Sequence, residues 1–136
     1  MRAAFVLVCV GCLMMVGVRA ASAHHSFAAT YLDDQMVTIE GDLVQFLFRN
    51  PHSFVHVLVT DKNGNEVRYA IEWSGSNQLG EQGVTRETLK AGDHVIVTGT
   101  PGRNPADHRL RMISLRRPKD GFRWVQRSDA NELRRD

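Results

Sequence analysis

Five short runs in which apolar and polar residues alternate, a helical interval between the third and fourth of them, and a long first run whose phase slips beside Gly41 predict a mainly β fold. Three strands, a short helical connection and two more strands, the first long and bent, is the order of a five-stranded OB-like small barrel. Closing a sheet on itself removes its exposed edges, so a barrel over residues 37–117 can hold together on a modest core without cross-links.

The first strand starts at Val37. Val37, Ile39, Gly41 and Leu43 alternate with polar residues, and Val44, Phe46 and Phe48 then continue in the opposite phase, which marks a bulge. Ser53 to Thr60 is the second strand, with Val55, Val57 and Val59 on one face and His52, Phe54 and His56 on the other. Asp61-Lys62-Asn63-Gly64-Asn65 is a turn, and Glu66 to Trp73 returns as the third strand, divided into Val67, Tyr69, Ile71 and Arg68, Ala70, Glu72. Pairing the apolar phases sets Val59 against Val67, Val57 against Tyr69 and Val55 against Ile71. Glu72 then faces Phe54, diagonally between His52 and His56.

Ser76 to Gly83 and Thr85 to Lys90 read as short helical pieces, with Ser76 and Thr85 as N-caps and Gly83 and Gly92 as stops. His94 to Gly99 is the fourth strand and Pro101 to Asp107 a loop. Arg109 to Arg117 is the fifth strand, offering Leu110, Met112, Ile113 and Leu115 for burial. Residues 118–136 read as a polar tail.

The chain has 136 residues, 43% hydrophobic and 24% charged, with Cys 2 and a formal charge of +2. Phe5 to Val18 is an apolar run behind Arg2, followed by Ala21-Ser22-Ala23, the pattern of a secretory signal peptide over residues 1–23. The run is shorter than the roughly 20 apolar residues an anchor needs. The expected product is therefore periplasmic or secreted, cut near Ala23, with no transmembrane anchor. Cys9 and Cys12 leave with the leader, so neither a disulfide framework nor a thiolate site is expected. Loss of Arg2 and Arg19 leaves 15 basic and 15 acidic side chains, split into −5 over residues 24–102 and +5 over residues 103–136. Export argues against nucleic acid as the partner of that basic third, which reads as a solvated strand and tail.

All six histidines follow the leader. After cleavage at Ala23, the α-amino group and ring of His24 form a chelate suited to Cu(II). His24, His25, His52, His56 and Glu72 together form a pool from which a copper or zinc ion would draw three or four ligands. Residues 24–36 would act as an arm, with Phe27 and Tyr31 as anchors. The alternative is a metal-free module of the cell envelope that binds a small ligand or a protein partner through the usual OB face. A metal-dependent enzyme built on His52, His56 and Glu72 comes third. His94 and His108 read as solvated. No catalytic residue is assigned, because Ser53, Ser74 and Ser76 lack an elbow motif and Gly75, Gly80 and Gly83 make no phosphate-cradling pattern.

Ala23-His24-His25-Ser26-Phe27, Val37-Thr38-Ile39-Glu40-Gly41 and Asn50-Pro51-His52 form part of a wider pattern. It continues through Glu72 with Asn77 and Leu79, Leu89-Lys90-Ala91-Gly92-Asp93, and Val95-Ile96-Val97-Thr98-Gly99. Over Ala23 to Leu115 the chain thereby resembles a family of small exported bacterial proteins known only as a domain of unknown function. The resemblance implies an OB-like fold and export, and no activity. Tyr69 stands where that pattern has tryptophan and Ser76 where it has proline; neither change removes a candidate ligand.

Overall fold

The computed structural model describes residues 25–127; the expected signal peptide and His24 lie outside the described residues, as do residues 128–136. Helix α1 (His25–Thr30) belongs to the unit ahead of Tyr31, and the chain from Tyr31 onward forms the second unit. That second unit contains β1 (Val37–Leu47), β2 (Ser53–Thr60), β3 (Glu66–Trp73), α2 (Ser76–Glu81), β4 (His94–Pro101), β5 (Arg109–Arg117) and β6 (Phe122–Val125).

The sheet order is β3-β2-β1-β4-β5-β6, and β3 also pairs in parallel with β5. This second pairing closes five strands into a barrel with α2 between β3 and β4, which is the expected OB-like topology. The β2–β3 register is the one dictated by the apolar phases: Val59 pairs with Val67, Val57 with Tyr69, Val55 with Ile71 and Phe54 with Glu72. Val55, Val57, Ile71, Val95, Val97 and Leu115 have no solvent exposure, because alternate residues of every barrel strand point inward.

Strand β1 must serve both halves of the barrel, pairing with β4 from Val37 to Asp42 and with β2 from Asp42 to Leu47. Gly41 allows the bend: a Cβ there would lie 2.1 Å from the Leu58 carbonyl oxygen. The register shifts between Leu43 and Gln45, so Val44 is the extra residue and stands exposed rather than in the core.

Two departures concern the connections. Thr85 to Lys90 is not helical; the Thr88 hydroxyl accepts from the Thr85 N–H at 2.8 Å, and the Thr85 hydroxyl accepts from the Glu87 N–H at 3.3 Å. Side-chain bonds of this kind compete with helical ones. Helix α2 is capped by Gly75 without a side-chain bond, rather than by Ser76.

The chain also continues past β5 into a sixth strand within the segment read as a polar tail. Phe122 to Val125 pair with Ser114 to Arg117. Trp124 is buried edge-on against Trp73, centroids 5.0 Å apart, and donates its indole N–H to Gln82 at 2.6 Å. A four-residue strand carries too little alternation to stand out in sequence. Two aromatic residues in one phase were its only signal.

Candidate functional site

Glu72 is buried on the outer side of β3, where a carboxylate needs partners. Its Oε2 accepts from the Tyr31 hydroxyl and, at 2.6 Å, from Arg109. Its Oε1 lies 3.0 Å from His52 Nδ1. Arg109 also donates through Nε to Tyr31 at 2.7 Å. Burial by itself would raise the Glu72 carboxyl, but the bonds from Tyr31 and Arg109 and the charges of Arg109 and His52 outweigh it and hold the group below its ordinary value. The Tyr31 phenol is pushed well above its ordinary value by burial first and then by Glu72, with Arg109 offsetting part of the rise.

Beside this cluster lies a cavity of about 370 Å³ on the outer face of β2 and β3. Leu47, Phe54 and Ala70 supply its apolar walls; Arg49 enters from the β1–β2 loop, Asp107 from the β4–β5 connection and Arg109 from the start of β5. The Arg49 guanidinium lies 5.4 Å from the centre of the Phe54 ring and that of Arg109 5.6 Å from it. A guanidinium held over a ring keeps its planar N–H edge for an acceptor. Arg109 is held as well by Glu72 and Tyr31, whereas Arg49 has no carboxylate partner among the described residues. Asp107 accepts from Asn104 at 2.9 Å, so the acidic wall is tied to its own loop.

His56 completes the lining. Its Nδ1 accepts from Arg68 Nε at 3.3 Å. Burial, followed by the charges of Arg68 and Arg49, lowers its pKa, so the ring is neutral near pH 7. With Nδ1 accepting, the proton sits on Nε2, giving the cavity a neutral donor beside two cationic ones.

Of the metal pool, the structure brings together His52 and Glu72. His56 is turned to Arg68 instead, with its Nδ1 accepting from Arg68 Nε at 3.3 Å. His25 opens α1 in the other unit and its side chain is not described; His24 lies outside the described residues. Among the described residues, no three His, Cys, Asp or Glu are grouped to hold a metal ion. His94 is exposed as expected, yet it is held at 2.8 Å from Asp42 and 2.9 Å from Glu40, which raise its pKa. His108 is exposed with φ 43°.

Arg49 and Arg109 went unread in the sequence. Phe54 was placed on the face of His52 and His56, which was the available signal for Arg49, one loop away. Arg109 reaches that face only because β5 closes on β3, a long-range pairing without a local signature.

Residues 12–111 match the model of a family of unknown function (DUF6152). No curated protein matches the chain. Among solved structures it is similar to Rim1, a mitochondrial single-stranded DNA binding protein from S. cerevisiae, at 16% identity and a TM-score of 0.47, over 63% of this chain and 95% of that one. No helix among the described residues is long and apolar enough to cross a membrane.

Proposed function

The chain belongs to the family of unknown function DUF6152, and as that family supplies no activity, we propose that it is a binding module whose outer barrel face takes a small carboxylated ligand, in the first place an acidic saccharide of the cell envelope. The observation that carries this is the placing of Arg49 and Arg109 against one ring, Phe54, at the mouth of a cavity with apolar walls. A cavity with apolar walls and a few convergent donors is the usual form of a small-molecule site. In OB barrels the β2–β3 face and the loops after β1 and β4 are the common binding surface, with oligosaccharides among the ligands. Arg49 suits a carboxylate through its planar N–H edge; Arg109, whose Nε and one terminal nitrogen are taken by Tyr31 and Glu72, adds the N–H groups of its other terminal nitrogen. The Nε2–H of His56 suits a hydroxyl or ring oxygen. Export, supported by the Phe5 to Val18 run and the small residues after it, would place the module among such glycans. Calorimetric titration tests the proposal: glucuronate should bind and glucose should bind far more weakly, with Arg49→Gln removing the difference. Equal affinity for the two sugars, or none for either, would contradict it.

A copper or zinc ion at His52 is the second reading, favoured by the contact between His52 Nδ1 and Glu72 at 3.0 Å. Metal-bound histidine commonly donates its other ring N–H to a carboxylate. Glu72 would then orient His52 rather than bind the ion. Titration of the exported protein with Cu(II) and Zn(II) tests this. Glu72→Gln should weaken the affinity by about 10–100-fold, and undetectable binding of both ions would remove the reading.

A further inference from the structure

The basic side chains that follow Arg109 are not used by the site above. On the outer face of β4, β5 and β6 lies a second cavity of about 210 Å³, lined by Ile96, Thr98, Ser114, Leu115, Arg116 and Arg123. Arg116 and Arg123 stand directly opposite each other in the β5–β6 register, and Ser114 stands opposite Thr98 in the β4–β5 register. Like charges in directly opposed positions repel, so sequences ordinarily avoid this pair or supply a carboxylate between the two. The neighbouring arginines have theirs: Arg109 meets Glu72, Arg111 meets Asp33, and Arg117 meets Asp93 and Asp120. Among the described residues, Arg116 and Arg123 have no ion pair and no hydrogen-bond partner for their guanidinium groups, and both are exposed.

Two guanidinium forks and two hydroxyls around one concavity make a donor set rich in N–H and O–H, with no carboxylate among its lining residues. We propose that this cavity binds a tetrahedral oxyanion, the phosphate or sulfate group of a small free molecule. Each guanidinium can give two parallel N–H bonds to such a group, and the anion relieves the repulsion between the arginines. Ser114 lies next along the same face and adds a hydroxyl donor, and so does Thr98 when its hydroxyl accepts from that of Thr38, 2.9 Å away. The site is separate from the Arg49 cavity, shares none of its lining residues, and does not depend on what that cavity binds.

The test is a residue-resolved NMR titration of the exported protein with inorganic phosphate, ionic strength being held constant with chloride. Saturable shifts are expected at Thr98, Ser114, Arg116 and Arg123. Arg116→Gln or Arg123→Gln should each weaken binding about tenfold, and the double Gln variant should abolish it. Exchanging both for lysine keeps the charge and loses the fork, and should also weaken binding. The Trp73–Trp124 near-ultraviolet signal reports that each variant is folded. Linear, unsaturating shifts would overturn the proposal, as would wild-type affinity in the double Gln or double Lys variant.

Discussion

Arg109 meets Glu72 at 2.6 Å beside the junction where β3 and β5 run parallel and close the barrel. One ion pair thus pins the closing seam and holds an arginine of the adjoining cavity. Glu72→Gln leaves the Arg109 guanidinium and the Tyr31 hydroxyl without their charged acceptor. Breaking a fully buried pair costs about 3–5 kcal/mol. Arg109 keeps 38% of its side chain exposed, so a loss of about 2 kcal/mol is expected here. Urea denaturation gives the value. The double variant Glu72→Gln/Arg109→Gln should lose less than the sum of the single losses, because the two act as one unit.

Stability should fall at acid pH through Asp93. Burial opposes ionisation of this carboxyl, but Lys119, the Lys90 N–H and Arg117 at 2.5 Å bring it down to about 2, from an ordinary 3.8. A depressed carboxyl stabilises fully above its unfolded pKa, and its contribution disappears as pH drops through the folded value. About 2 kcal/mol should therefore be lost between about pH 4 and pH 2. Glu72, also lowered, acts in the same direction. Thermal melts across this window should show a flatter dependence for Asp93→Asn, from a lower starting stability.

Gly41→Ala should destabilise by about 2 kcal/mol or more, because the new methyl meets a backbone oxygen rather than a side chain that can move aside. A melting temperature equal to the parent would show that β1 can bend elsewhere.

Much of the barrel was legible because side-chain alternation is a local property. Val55, Val57 and Val59 against Val67, Tyr69 and Ile71 fix the β2–β3 register by themselves, and Phe54 falls opposite Glu72 as that register requires. The site was legible only in part. His52 and Glu72 do meet, but the partners that determine what Glu72 does are Arg109 and Tyr31, 37 and 41 residues away in the chain. The sequence reading makes Tyr31 an anchor of the N-terminal arm, and its ring is buried at 1% exposure; what that reading does not name is the partner of its hydroxyl, the Glu72 carboxylate. The bulge of β1 was legible as a phase slip, but the residue it ejects, Val44, and the short strand β6 both depend on pairing partners that the local pattern does not name.

Trp124→Ala should cost about 3 kcal/mol, since it removes the edge-on contact with Trp73, the bond to Gln82 and most of the reason for β6 to pair. Chemical denaturation measures the loss, and near-ultraviolet circular dichroism should lose the Trp73–Trp124 signal with it.

Arg123→Glu exchanges a repulsive cross-strand pair for an attractive one and should stabilise the domain by about 0.5 kcal/mol. Phosphate binding should vanish in the same variant. A gain in stability accompanied by loss of binding is the expected pattern where an unfavourable pair is kept for a ligand.

The most direct test of the carboxylate site is an NMR titration of the protein with oligogalacturonate, carried out in parallel on Arg49→Gln. The account predicts shifts confined to Arg49, Phe54, His56, Ala70 and Arg109 that saturate in the parent and are lost in the variant. Shifts spread over the basic β5–β6 face, or undiminished in Arg49→Gln, would contradict it.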